Sequence, residues 1–275
     1  MEKKDLLNKQ IDVHTGFVKL INYMGDDDSI CEAARCSTGS TGKDNAGLID
    51  YLVRHKHTSP LEFVEFIFSI KCPIFVMRQL IRHRTASVNE TSLRYSEAVD
   101  DFFIPLPENV RKQSNKNMQM TDEVVDVELG KEFSNYVLVQ SKEAYDKYSE
   151  FLEKGVCREQ ARIILPVDIY TKFYWKMDLH NLFHFLKLRL DKHAQEEMRD
   201  FADAIYYFVK EAMPNACKSF EEHILYSIVF SKTEKELLFE ALEELGFDIE
   251  TYKQRLIAKG IKAGRLAECL EKLGG

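Results

Sequence analysis

The spacing of apolar residues changes several times along the chain, and each change predicts a different element. Residues 12–24 (DVHTGFVKLINYM) hold a short strand-like stretch. Ser29 and Glu32 form S-x-x-E, a capping-box pattern, which predicts a short helix running through Arg35. The stretch 37–47 (STGSTGKDNAG) reads as loop. Leu48, Ile49, Leu52 and Val53 fall on one stripe and predict a helix over 45–56. Ser59-Pro60-Leu61-Glu62 is a second capping box, with proline at the first helical position. Phe66, Phe68 and Ile70 alternate with Ile67, Ser69 and Lys71, the period-two pattern of a strand. Pro73 then opens an apolar helix that runs into an arginine-rich segment, so a strand and a helix deliver polar side chains to one edge of a sheet.

In the second half the pattern becomes helical. Residues 99–107 look extended, and 108–120 are polar and loop-like. Residues 121–154 are charged and helical, and 158–166 (REQARIILP) form a short amphipathic turn of helix. Two long helices are predicted over 178–191 and 193–212. Residues 227–275 read as lysine- and glutamate-rich amphipathic helices broken at Gly246 and Gly260. With no internal repeat and no linker, the expected organisation is one domain over 1–226 and a helical extension over 227–275.

Composition narrows the function classes. Apolar residues make up 45% of the 275, enough for a substantial core. The net charge of −7 argues against nucleic acid or an anionic membrane as partner, and points any local basic cluster at a small anionic ligand. The start MEKKDLLNKQ has no apolar signal core, and no apolar run approaches membrane-spanning length, so a soluble cytoplasmic protein is expected. The six scattered cysteines contain no CxxC pair and read as reduced thiols, mostly buried.

The densest chemistry lies in 78–95 (RQLIRHRTASVNETSLRY). Its arginines, Arg78, Arg82, Arg84 and Arg94, are interleaved with Ile81, Ala86, Val88 and Leu93, so the backbone should be held against the body of the protein. Guanidinium forks match phosphate geometry, which favours an anionic, planar, hydrogen-bonding ligand. Arg78 and Arg82 sit four apart on the expected helix and repel by roughly 0.2–0.5 kcal/mol unless an anion lies between them. That anion is either a ligand or a carboxylate such as Glu62 or Glu90. Elsewhere the signals are weaker. GSTGK has glycines too close for a phosphate loop, and Asp44 stands where a magnesium-binding hydroxyl is needed. His180 and His184 have zinc-protease spacing, but HNLFH lacks the glutamate, so no metal site is expected. These histidines bond a ring ligand or fill helix packing positions. Arg162 and Arg189 each stand among apolar neighbours, where a salt bridge to Glu159 or Asp191 competes with a functional role. Ser92 has no G-x-S-x-G elbow and is better suited to bonding a phosphate or a base edge.

Arg82-His83-Arg84, then TASVNET, then Ser92, resembles the signature of the flavin-dependent thymidylate synthases. HTSPLEF (57–63), PIFVMRQ (73–79), NETSLRY (89–95), REQARIILP (158–166) and LxLRLDKHAQ (186–195) are similar to that family in the same order, and the likeness covers roughly 12–225. It implies an α+β fold, with a central, largely antiparallel sheet flanked by helices and a helix-rich second half. It also implies methylation of dUMP to dTMP, with methylenetetrahydrofolate as carbon donor, FAD reduced by NADPH as hydride source, and no cysteine nucleophile. The implied assembly is a homotetramer with shared active sites. The matching positions for dUMP are Gln79, Leu80, Ile81, Arg82, Glu90, Thr91, Ser92, Leu93, Arg94, Arg162 and Arg189, with Arg189 and Ser92 catalytic. For FAD they are Ser37, Ser59, Arg82, His83, Arg84, Thr85, Asn89, Glu90, Asp178, His180, His184 and His193. His57 and Glu62 match positions near the flavin and folate. The chain departs from the pattern at Asp178-Leu179-His180 and at His184, where Asn-Ala-Arg and Asn are common. It departs again at Leu93, for a common glycine, and at Phe63, for a frequent histidine.

Overall fold

The alternating run Phe66, Phe68, Ile70 lies in the central strand of a five-stranded sheet in the computed structural model, which describes residues 3–39, 41–116, 118 and 120–272. A short helix, α1 (Lys3–Leu6), precedes a hairpin of β1 (Gln10–Val13) and β2 (Gly16–Met24). β3 (Glu65–Pro73) pairs with β2, and β7 (Tyr170–Asp178) pairs with β3. β4 (Ser87–Glu90) closes the row, giving the order β1-β2-β3-β7-β4 with every pairing antiparallel. The expected α+β fold with an antiparallel sheet is therefore found.

β7 was not among the expected elements; its inward positions Phe173, Trp175 and Met177 alternate with Lys172, Tyr174 and Lys176. Register places Phe68 opposite Trp175 and Phe66 opposite Met177, so the buried faces of β3 and β7 merge. This sheet face is covered by α7 (Leu179–Arg189) and α8 (Glu196–Ala212), which supply Phe185, Leu186, Phe201, Ile205 and Phe208, all fully buried. Burying such side chains contributes roughly 1.5–3 kcal/mol each.

Local signals place the other elements, with some shifts from expectation. The first long helix, α2 (Asp27–Cys36), starts one turn earlier than Ser29-Glu32 implied: Asp26 is the cap and Ser29 its reciprocal partner. α3 (Asn45–Arg54) is capped by Asp44, which accepts from the Gly47 amide. Ser59–Phe63 is only a 3-10 turn, and its preceding Thr58 makes no side-chain cap. α4 (Ile74–Leu80) follows Pro73 as expected. Within 108–120 and its flank, expected as loop and helix, β5 (Arg111–Gln113) and β6 (Thr121–Val124) form a separate ribbon.

α5 (Val127–Glu153) runs for 27 residues and passes over the Pro107–Asn109 turn at Gly130. A Cβ on Gly130 would lie 2.3 Å from the Pro107 carbonyl oxygen, which is backbone and cannot swing away. Alanine there should gain about 1 kcal/mol of helix propensity yet lose about 1–3 kcal/mol to overpacking. The net expectation for Gly130→Ala is a Tm lower by a few degrees, read by thermal unfolding; a rise in Tm would show that helix and turn separate at no cost.

α6 (Arg158–Ala161) continues into a 3-10 turn over Arg162–Ile164. Tyr148 of α5 accepts from the Ala98 amide (3.0 Å), and Tyr145 donates to the Ala98 carbonyl (3.1 Å), pinning the segment that follows Ser92 against a small core with Phe102 and Ile169. α9 (Pro214–Phe220) is tied to α2 by the buried Asp27, whose carboxylate accepts from the Asn215 and Ala216 amides. This first unit ends at Tyr226.

The second unit, from Ser227, holds α10 (Lys232–Glu244), α11 (Ile249–Ala258) and α12 (Ala263–Glu271). Ser231 and Glu234 form a reciprocal cap for α10. The breaks expected at Gly246 and Gly260 are present: both have positive φ (68° and 79°), and each closes a Schellman motif. The six cysteines are unpaired; Cys31, Cys72 and Cys217 are buried, but Cys36 and Cys157 are exposed, so fewer are interior than expected.

Candidate active site

The arginine segment leaves α4 at its last turn and returns to the sheet as the edge strand β4. In the intervening turn the side chains alternate in direction. Arg82 and Arg84 are exposed, while His83 between them is only 9% exposed. Its ring packs edge-on against Phe185, centroids 4.9 Å apart, with His184 at 6.2 Å. Arg189, at the end of α7, donates from Nε to His83 Nε2 at 3.1 Å and from Nη2 to the Gln79 carbonyl at 3.4 Å. Burial, then the neighbouring guanidinium and His184, push the His83 ring down to about 4. His83 is therefore neutral at pH 7, with Nε2 the acceptor and the proton on Nδ1. Because its folded value lies below that of a free histidine, this stabilisation is complete above pH ~6.5 and is lost as pH falls toward 4. Gln79 also donates to the Gln195 side chain, joining α4 to the turn before α8.

A second group faces another space. Glu90, Thr91, Ser92, Leu93 and Arg162 line a cleft of ≈ 680 Å³ together with Lys71, Tyr170, Thr171 and Lys172. Thr171 donates to Glu90 Oε1 at 2.6 Å, and Ser92 Oγ accepts from the Arg94 amide at 3.3 Å. Arg94 pairs with Glu159 (3.1 Å), so the carboxylate weighed as a partner for Arg162 serves Arg94. Asp191, weighed as a partner for Arg189, accepts instead from the His193 amide and faces its ring nitrogen at 2.6 Å. Among the described residues, Arg78, Arg82, Arg84 and Arg162 have no carboxylate at ion-pair distance.

The remaining expected positions stand on a third set of elements. Asp178 caps α7 by accepting from the Asn181 amide and side chain. His180 is half-buried, His184 exposed, and the 59–63 turn bearing Ser59, Glu62 and the 62%-exposed Phe63 packs beside α7. Ser37 donates to the Ala34 carbonyl at the end of α2. Asn89 on β4 and Thr85 just before it are exposed; His57 is exposed too, and its ring lies near Tyr51. Leu80 is fully buried and Ile81 exposed. Among the described residues no three His, Cys, Asp or Glu side chains are grouped to hold a metal ion.

One chain thus joins Gln79, His83 and Arg189, and separately joins Glu90, Ser92 and Arg162, without putting Arg189 in the wall of the second cleft. Sequence reasoning missed Thr171 and Lys172, both on β7; the alternation around Phe173, Trp175 and Met177 carried the signal.

The chain matches the family described as thymidylate synthase complementing protein over residues 19–215. It is 49% identical to a flavin-dependent thymidylate synthase of Thermus thermophilus over 263 residues, 94% of each chain. It is also 49% identical to one of Dictyostelium discoideum, over 77% of this chain and 71% of that one. In three dimensions it is similar to a UMP/dUMP methylase of Streptomyces cacaoi bound with 5-Br UMP, with TM-score 0.72 and 30% identity, covering 78% of this chain and 96% of that one.

Proposed function

From the premise that the chain belongs to the flavin-dependent thymidylate synthase family, we propose that it methylates dUMP to dTMP, with methylenetetrahydrofolate as carbon donor and FAD reduced by NADPH as hydride source. The observation that carries this reading is the arginine set. Arg82, Arg84 and Arg162 are exposed and lack carboxylate partners among the described residues, while Arg189 is anchored on two of its N–H groups with the others left over. Such a set suits a nucleoside monophosphate, whose phosphate takes the forks and whose ring takes a planar cation.

The reading assigns Arg162, Arg94, Ser92 and Glu90 to the nucleotide, with Arg189 against the uracil. A guanidinium beside the uracil favours its ionised form and so raises electron density at the carbon that attacks the one-carbon unit. Ser92 orients the nucleotide. No thiol nucleophile is then needed. That fits the cysteines: burial pushes Cys31, Cys72 and Cys217 above the ordinary thiol range, and Cys36 and Cys157 do not line the cleft.

The donor set also fits a flavin dinucleotide. Arg82 and Arg84 offer charge to a diphosphate, while His83, Asn89, Glu90, Asp178, His180 and His184 offer polar edges to rings and hydroxyls, with Ser37, Ser59, Thr85 and His193 completing the set. Bound FAD supplies hydride transfer; the chain binds it, orients it and keeps the nucleotide ring beside it. A homotetramer with shared sites would bring Arg189 and the Ser92 cleft of different copies together, which one chain leaves apart. The catalytic unit is assigned to 1–226, with 227–275 as an extension. We place the enzyme in the cytoplasm, acting on small molecules rather than on nucleic acid or membranes; among the described residues no helix is long and apolar enough to cross a bilayer.

The purified protein is expected to be yellow, to change its flavin absorbance on addition of dUMP, and to release tritium from ring-labelled dUMP when given NADPH and methylenetetrahydrofolate. A colourless protein that releases none under those conditions would end the proposal.

A further inference from the structure

We infer that His83 is a positioning residue for Arg189: it holds the guanidinium edge-on so that the remaining N–H groups face the nucleotide ring. The inference rests on the reading of Arg189 given above and adds to it a reason for the histidine between the two arginines of the signature.

The geometry supplies the argument. Arginine has five N–H donors in a fixed plane. Nε is committed to His83 Nε2 at 3.1 Å and one Nη2 hydrogen to the Gln79 carbonyl at 3.4 Å. Two anchors on one edge fix both the plane of the fork and its rotation, leaving three donors, the second Nη2 hydrogen and the two on Nη1, turned away from that edge. The anchors are themselves held. The His83 ring lies against Phe185, and Phe185 lies against the fully buried Trp175 at 5.1 Å, so a line of packed rings runs from the sheet to the guanidinium.

Arg82 and Arg84, the signature's flanking arginines, point to solvent, whereas the histidine points inward. Of the titratable groups, Arg189 and His184 of α7 face the ring, and Arg82 and Arg84 adjoin it in the chain. With one cation already bonded to it and a second imidazole nearby, the ring stays neutral, and only a neutral imidazole can accept from Nε. A protonated His83 would present a donor to a donor and release the fork.

The test compares wild type, Arg189→Ala, His83→Leu, His83→Gln and the Arg189→Ala/His83→Leu double variant, scoring tritium release per bound flavin. Leucine removes the acceptor and should lower kcat by about tenfold to a hundredfold. The KM for dUMP should change by less than about threefold, and scoring per bound flavin separates this loss from any part that His83 takes in holding FAD. Glutamine restores an acceptor that does not titrate and should recover kcat to within about threefold of wild type. In the double variant, loss of His83 should cost nothing beyond the loss of Arg189.

A His83→Leu protein that loses its flavin while keeping kcat per bound flavin would overturn the inference, as would losses that add in the double variant. If Arg189→Ala alone retains full activity, the reading of Arg189 fails first. A second readout needs no turnover: nitrogen-15 histidine spectra should show His83 as the Nδ1–H tautomer, titrating well below the value of a free histidine and moving up in Arg189→Ala. Should His83→Leu not fold, that titration decides, and a His83 that titrates near pH ~6.5 in wild type overturns the inference.

Discussion

Arg189→Ala is expected to lower tritium release by about a hundredfold to a thousandfold in kcat, the loss that follows removal of a group aimed at charge developing in the transition state. The side chain sits at the end of α7, half-buried, with its edge fixed by His83 and the Gln79 carbonyl. Its exposure on one side and anchorage on the other are what an electrostatic catalyst requires. Little of the core depends on it, so Tm should move by only a few degrees. Arg189→Lys should not rescue: one ammonium cannot hold two anchors and present a planar face to a ring. Near-wild-type kcat in either variant would remove Arg189 from the chemistry and leave it as a packing residue.

The largest effect on stability is expected from Trp175→Ala. Trp175 is fully buried, opposite Phe68 in the register of β3 and β7, and in contact with Phe185. Truncation should cost about 3–5 kcal/mol. In a chain of this length that lowers Tm by about 6–20 °C. Trp175→Phe should behave quite differently. Among the described residues the buried indole Nε1 has no hydrogen-bond partner, so tryptophan carries the cost of an unsatisfied donor that phenylalanine does not. The smaller ring leaves some space but removes that cost, and the net change is expected within about 1.5 kcal/mol. Equal losses for alanine and phenylalanine would mean that the indole is held by more than packing.

These two positions also show what could be read in advance. β3 was legible because Phe66, Phe68 and Ile70 follow a clean period of two, and Pro73 marks the switch to α4. β7 has the same inward alternation, but Thr171, Lys172, Tyr174 and Lys176 intervene, and the capping residue Asp178 drew the reading to the helix beyond. The β5–β6 ribbon gave no signal because it has no buried face: its residues are RKQ and TDEV, none of them buried, so no alternation exists to be read. The start of α2 was displaced because D-x-x-S at Asp26 and S-x-x-E at Ser29 satisfy the same local rule three residues apart, and only the surrounding chain selects between them.

For the site, the arginine segment and Ser92 stood out because so many polar groups in so few residues have no place in a core. Their partners did not stand out. Arg189 meets a histidine 106 positions away, and Thr171 meets Glu90 from 81 positions away. Separations of that size are set by the sheet, and no local pattern encodes them. The inward turn of His83 between two outward arginines was likewise invisible until α7 was in place to receive it.

β4 hangs from a single neighbour, and all four of its residues lie open. Its backbone can detach from β7 without disturbing the interior, so amide exchange there reports local fraying rather than global unfolding. The signature's Asn89 and Glu90 ride on that strand. Occupancy, more than the folded framework, would then determine how tightly the rim closes.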